Sequence, residues 1–153
     1  MDNYDSTKDT MEHRNNIYNL LNDFCVILKY RADIHDWSKF ESPEKELFDK
    51  YTPLLSKTVY GSDEYKKYLK EMGKALDHHY ENNSHHPEHT EFGINGMTLI
   101  DIIEMFCDWK AASMRHKDGN FIKSIIYNRD RFEISQQLID IFENTAKELY
   151  GET

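Results

Sequence analysis

The chain is poor in basic charge and in long apolar runs, and both shortages exclude classes of protein. It has 19 Lys and Arg against 28 Asp and Glu, which gives a formal charge of −9. An acidic protein is a poor general ligand for nucleic-acid backbones and is repelled by anionic membranes. No apolar run reaches the 18 residues of a membrane-spanning helix, and no secretory leader pattern is present. We therefore expect a cytoplasmic protein that binds neither duplex nucleic acid nor membrane.

Cysteine is also scarce, which argues against a disulfide-stabilised protein. The two cysteines, Cys25 and Cys107, lie in the apolar helical stretches DFCVIL and EMFCDW. Thiols in the cytosol stay reduced, and free cysteine behaves as a small apolar side chain. We expect two buried free thiols.

Alternation of apolar and polar residues, the mark of a half-buried strand, is almost absent. Apolar residues instead recur at spacings of three and four, which is typical of helices. A chain of 153 residues can bury a real core, and no repeat or linker divides it. The sequence predicts an all-α, single-domain helical bundle of about five to six helices over residues 11–153. We expect a flexible N-terminus at 1–10, and the protein could form a homo-oligomer. The expected helices cover about 11–31, 44–54, 63–81, 98–118, 121–128 and 132–150, the fourth of them opened by a capping box of Thr98 and Asp101.

Histidine is unusually concentrated in one part of the chain. Five of the eight histidines fall within twelve residues, and a His35-Asp36 pair lies upstream. Histidine together with carboxylate, spread over several helices, is typical of sites for divalent metals. On a helix His78 and His79 point about 100° apart, and His79 continues the apolar face. We therefore expect His79 to be a ligand and His78 to lie at the surface. The clustered residues are His78, His79, His85, His86 and His89.

The fourth predicted helix places three carboxylates on one stripe. Glu104 and Asp108 are four residues apart, and Asp101 precedes Glu104 by three. Carboxylates stacked in this way repel each other, and a cation or a histidine would relieve the repulsion. The alternative is that Asp101 serves the helix N-terminus and that Glu104 pairs with Lys110 or Arg115 on a solvated edge.

The order of these residues resembles that of the HD-domain superfamily of metal-dependent phosphohydrolases. That family is a helical bundle in which a first His, a His-Asp doublet and a distant Asp bind one metal, and histidines between the doublet and the distant Asp bind a second. Carried over to this chain, His13, His35, Asp36 and Asp108 would bind the first metal, and His79, His85 and His86 are the candidates for the second.

Two further features support this resemblance. The stretch HDWSK is similar to the His-Asp-x-Gly-Lys motif of the branch that cleaves cyclic dinucleotides, in which the Lys contacts substrate phosphate. The chain lacks the Gly-Tyr-Pro motif of that branch, so this similarity does not extend to cleavage of cyclic dinucleotides. The set HDWSKF, HHYENNSHHPEH and EMFCDWKAAS resembles a small phage and bacterial family of unknown function that is HD-like.

The resemblance implies a metal-dependent phosphohydrolase with one or two divalent ions of Mn, Fe, Ni, Co or Zn. Metal-activated water would attack a small phosphorylated substrate, expected to be a nucleotide. Asp36 would take part in catalysis, and Glu104 would orient a ligand or act as general base. Lys39, Lys110 and Arg115 are candidates for binding phosphate. Trp37, Tyr80 and Trp109 are candidates for stacking on a base, with core packing as the alternative for Trp109.

Other interpretations remain open. The chain could be a metal-stabilised helical binding module without turnover, such as a phage protein that binds a host partner. It could also be a metal-free bundle whose histidines are ordinary polar residues, since resemblance of fold does not establish function. His13, near the frayed N-terminus, could be a surface residue.

Overall fold

The chain is all-helical, as predicted. A computed structural model describes residues 4–59, 62–115 and 119–152, and no strand occurs among them. None of the helices in these ranges is both long and apolar enough to span a membrane. The α-helices are α1 (Thr7–Ile34), α2 (Glu44–Leu55), α3 (Asp63–Glu71), α4 (Gly73–Asn82), α5 (Leu99–Ser113), α6 (Phe121–Phe132) and α7 (Gln136–Tyr150), and three short 3₁₀-helices cover Trp37–Phe40, Pro87–His89 and Gly93–Gly96.

The contacts within the chain divide it into two compact units. The first unit is Met1–Ile34 and contains α1, and the second is His35–Thr153 and contains the other helices. The doublet at 35 and 36 therefore belongs to the second unit.

Helix α1 begins at Thr7, so residues 7–10, which we expected to be part of a flexible terminus, are helical. The carboxylate of Asp5 accepts hydrogen bonds from the backbone N–H of Thr7 at 3.0 Å and from its hydroxyl at 2.6 Å. The first N–H groups of a helix have no partner within the helix. Asp5 satisfies one of them and so supports the earlier start.

The described residues contain seven α-helices rather than five or six because the predicted third helix is divided. Residue Met72 separates α3 from α4, and Gly73, a weak helix former, opens α4. The boundary between the last two helices also lies four residues later than predicted, because α6 ends at Phe132 and α7 begins at Gln136. Glu133 ends α6 in the left-handed conformation, and the Ser135 side chain accepts a hydrogen bond from the backbone N–H of Leu138 in α7.

The core of the second unit lies between α5, α6 and α7. Phe106 of α5 packs against Phe121 of α6 and Phe142 of α7, with ring centroids 5.0 and 5.3 Å apart. The buried residues of this core are Met105, Phe106, Trp109, Phe121, Ile125, Ile134, Ile139, Phe142 and Ala146.

The prediction of buried thiols was wrong, although both cysteines are free as expected. Cys107 is exposed because each residue advances about 100° around a helix. It therefore faces away from Met105 and Trp109, which point into the core. Cys25 is exposed on α1.

Candidate metal centre

The backbone turns sharply at Asp36, immediately after α1. Asp36 adopts the left-handed conformation, with φ 57° and ψ 20°, and precedes the 3₁₀-helix Trp37–Phe40. Aspartate is one of the few residues other than glycine that adopts this conformation readily. The turn places the Asp36 carboxylate at the centre of a group that we call the histidine–carboxylate cluster: His35, Asp36, His79, His85, His86, Glu104 and Asp108.

Three imidazole rings direct the same nitrogen towards Asp36. The Nε2 atoms of His79 and His85 lie 3.3 and 3.6 Å from Asp36 Oδ1, and that of His35 lies 3.5 Å from Oδ2. His86 joins them, because its Nε2 lies 2.9 Å from His79 Nε2. Four ring nitrogens and both oxygens of one carboxylate therefore occupy a small volume.

Two buried glutamates contact the opposite nitrogen of these rings. Glu104 Oε1 lies 2.8 Å from His35 Nδ1 and 3.1 Å from His85 Nδ1. Glu44 Oε2 lies 2.8 Å from His79 Nδ1. A carboxylate that accepts the Nδ1 proton fixes the tautomer and leaves the Nε2 lone pair available, as at most metal-binding histidines.

Two buried atoms of the cluster have no hydrogen bond. Asp36 Oδ1 and His85 Nε2 are both inaccessible to solvent, and neither has a hydrogen-bond partner among the described residues. Buried polar atoms are normally satisfied, so such exceptions call for an explanation. An ion that both atoms coordinate would satisfy them.

The spacing of the donor atoms suits metal coordination. Two atoms that are each about 2.1 Å from one ion lie roughly 3.0 to 3.4 Å apart at octahedral or tetrahedral angles. The distances from the histidine Nε2 atoms to the Asp36 oxygens, and between the Nε2 atoms of His79 and His86, run from 2.9 to 3.6 Å. Asp108 Oδ1 is 3.7 Å from His35 Nε2. Two donor sets share Asp36, one with His79, His85 and His86 and the other with His35 and Asp108.

The protonation states differ between the rings. The carboxylates of Asp108 and Glu104 raise the pKa of His35 to about 10. Burial lowers the pKa of His79, and burial together with the neighbouring rings lowers that of His86 to about 3. At neutral pH the His79 and His86 rings are uncharged, which is the state in which histidine binds metal. The His35 ring, in contrast, is protonated on both nitrogens and positively charged.

Lys39 is held at the edge of the cluster. Its Nζ donates a hydrogen bond to Asp36 Oδ2 at 2.5 Å and lies 5.1 Å from the centroid of the Phe48 ring. Burial favours the neutral form of Asp36, but the Lys39 ammonium, together with the protonated His35, outweighs burial and lowers the Asp36 pKa. Asp36 is therefore an anion in the folded protein.

Two of the predicted substrate-binding residues lie outside the cluster: Trp37 is 60% exposed and packs against Phe40, and Arg115 is exposed after the end of α5. His13 lies on α1, in the first unit. The Lys110 ammonium pairs with Glu152 and lies over the rings of Phe121 and Tyr150. Its proposed role in phosphate binding therefore has no support in the geometry.

Asp101 and Glu104, two of the three carboxylates of α5, have different roles. Asp101 and Thr98 form the predicted capping box, and Asp101 also accepts a hydrogen bond from Ser84. Asp101 therefore serves the N-terminus of α5, which was the alternative to a role in metal binding. Glu104 is 8% exposed and contacts histidines rather than the solvated edge.

Sequence reasoning missed Glu44, the first residue of α2. It is completely buried, and its two oxygens accept from His79 Nδ1 at 2.8 Å and from His78 Nδ1 at 2.7 Å. His78, expected at the surface, is therefore half-buried. An acidic residue in the first turn of a helix is common, so the local sequence gives no signal that Glu44 is buried.

Comparison with known proteins identifies a family but no activity. A family model described as "Family of unknown function (DUF5662)" matches residues 2–148. No curated protein and no solved structure matches the chain.

Proposed function

Because the chain belongs to DUF5662, a family of unknown function, its own residues must support any assignment, and from them we propose a metal-dependent phosphohydrolase. One observation carries the proposal. Three histidines direct Nε2 towards Asp36, while buried glutamates contact the Nδ1 of each ring. The order of the doublet, the histidine group and the later Asp108 also resembles that of HD-domain phosphohydrolases.

The donor set suits one or two ions of Mn, Fe, Ni, Co or Zn, which accept mixed nitrogen and oxygen ligands. Such an ion would lower the pKa of a water molecule and offset charge on the phosphoryl oxygens. His79, His85, His86 and Asp36 Oδ1 form the more complete set, and His35, Asp108 and Asp36 Oδ2 form a second one.

The remaining polar groups can take part in hydrolysis in defined ways. Water oxygen forms the new bond to phosphorus, the bond to the leaving oxygen breaks, and the water proton passes to that oxygen. Lys39, whose Nζ donates to Asp36 Oδ2, would contact a phosphoryl oxygen as a point charge. Glu104 acts as a positioning residue, because its Oε1 is already engaged by His35 and His85.

A metal-stabilised binding module without turnover is the alternative. Structural metal sites are closed, whereas catalytic sites keep a position open to solvent. The side chains of His35 and Asp108 are 29% and 28% exposed, and Asp108 borders an open cleft. This access favours catalysis.

Metal analysis and turnover test the proposal on the same preparation. We expect the purified protein to bind a divalent metal and to hydrolyse members of a phosphoester panel when supplied with Mn, Fe, Ni, Co or Zn. The His85→Ala substitution should lower metal affinity by at least roughly a hundredfold, because it removes a ligand. His89→Ala is the matched control, since His89 is exposed and its Nδ1 donates to the carbonyl of Tyr80.

Each outcome has a clear meaning. Metal bound by the protein and by His89→Ala, with no turnover of any phosphoester, would favour the binding module. Failure of the folded protein to bind any of these metals would refute both.

A further inference from the structure

A cleft opens beside the cluster. It has a volume of about 810 Å³ and runs between α4, α5 and α6, with His86 and Asp108 on its wall. Small-molecule sites in proteins usually enclose about 300 to 1,000 Å³. A ligand phosphate that reached the cluster would therefore leave the rest of its molecule in this cleft.

Aromatic side chains form much of the cleft wall. Trp109 and Phe132 stack with their rings 6.1 Å apart and nearly parallel, and Tyr80 lies 5.2 Å from the His86 ring. Tyr127, half exposed, stands at the rim. Flat apolar faces of this kind favour a flat ring in the ligand, because stacked rings gain energy beyond the area that they bury.

One largely buried residue of the cleft wall carries an amide without a hydrogen bond in the described ranges. Asn128 of α6 is 8% exposed and lines the cleft, and its amide makes no hydrogen bond with any residue in the described ranges. An amide offers a donor beside an acceptor. The amide atoms are not among the atoms that are buried without a partner, so they are accessible, and Asn128 suits a ligand ring that carries the complementary acceptor and donor.

The charge at the rim fits an anionic ligand. Lys123, one turn before Tyr127 on α6, is exposed and also lines the cleft. A cation at the mouth of a cleft attracts anions from solution.

We propose that this cleft binds a flat heteroaromatic ring of the phosphoester substrate and that Asn128 selects the ring by a paired hydrogen bond. The proposal rests on the phosphohydrolase function for the position of the phosphate. The ring itself is recognised by residues outside the cluster, so its binding can be measured without turnover.

Tryptophan fluorescence gives a direct measurement. The chain has two tryptophans, so the Trp37→Phe variant leaves Trp109 in the cleft wall as the only one. We would titrate this variant, metal-free and with Zn²⁺, with the four common nucleoside 5′-monophosphates, ribose 5-phosphate and naphthyl phosphate. At least one nucleotide should bind roughly tenfold or more tightly than ribose 5-phosphate, which lacks the ring, and than naphthyl phosphate, which lacks the donor and acceptor.

Substitutions in the cleft test the role of Asn128. Asn128→Leu should weaken the preferred nucleotide by roughly tenfold to a hundredfold and leave ribose 5-phosphate unchanged. If circular dichroism shows that this variant does not fold, Tyr127→Ala at the exposed rim should still weaken nucleotides by roughly fivefold or more. Ile126→Ala, exposed on the same helix but not in the cleft wall, should have no effect.

The outcomes separate this proposal from the phosphohydrolase function. Nucleotides that bind in an Asn128-dependent manner, without hydrolysis of any phosphoester, would support the cleft and count against the hydrolase. Hydrolysis of ribose 5-phosphate as fast as any nucleotide, with equal binding, would overturn the cleft proposal and leave the hydrolase intact.

Discussion

Replacing Glu44 by Gln tests whether buried carboxylates prepare the histidines for metal. The two oxygens of Glu44 accept from His78 Nδ1 at 2.7 Å and from His79 Nδ1 at 2.8 Å, and the residue is completely buried. Glutamine keeps the shape but offers one acceptor and one donor. One of the two histidines must therefore face an N–H group.

Both orientations of the new amide weaken the site. If its nitrogen faces His79, the His79 proton must move to Nε2, the atom that lies 3.3 Å from Asp36 Oδ1. If its nitrogen faces His78, His79 keeps its tautomer but loses the negative partner that raises its basicity. Loss of such a partner typically lowers metal affinity by about tenfold to a hundredfold, or roughly 1.4 to 2.7 kcal/mol.

Isothermal titration with Zn²⁺ and with Mn²⁺ measures the effect. Glu46→Gln is the matched control, because Glu46 lies in the same first helical turn but is exposed. His78→Ala should change affinity by less than roughly threefold, since Glu44 would still hold His79. A folded Glu44→Gln protein that binds metal within twofold of the parent would refute this reasoning.

Two further predictions concern α5. Partial desolvation of the exposed Cys107 residue's thiol, together with the negative charges of Glu104 and Asp108, raises the pKa of that thiol, so less thiolate forms at pH 8. In a Cys25→Ser background and without metal, iodoacetamide should alkylate Cys107 more slowly than N-acetylcysteine, and Asp108→Asn should speed the reaction; equal rates would contradict this. Thr98→Ala removes the hydroxyl that accepts from the backbone N–H of residue 101 and should lower the free energy of unfolding by about 1 kcal/mol in urea titrations, whereas Thr98→Ser should retain most of it.

Local patterns made the fold predictable. The spacing of apolar residues and the Thr98 capping box act within one or two turns of helix, so both can be recognised in the sequence. The break at Met72 could not be foreseen, because Gly73 is the only local signal and a single glycine is tolerated in helices.

The candidate site was predictable where residue type alone indicates chemistry. The structure brings together His35, Asp36, His79 and Asp108, together with the pair at 85 and 86. Glu44 escaped prediction because the histidines that it contacts lie 34 and 35 residues away in sequence. No local pattern distinguishes it from an exposed glutamate at a helix start.

The left-handed backbone at Asp36 restricts which residues can replace it. With φ at 57°, glycine, asparagine and aspartate are the residues that fit this position with least strain. Only aspartate among them supplies an anionic ligand. A family member with Asn or Gly at the position of Asp36 would therefore keep the turn and lose the carboxylate, so this single position should separate relatives that can bind metal from relatives that retain only the fold.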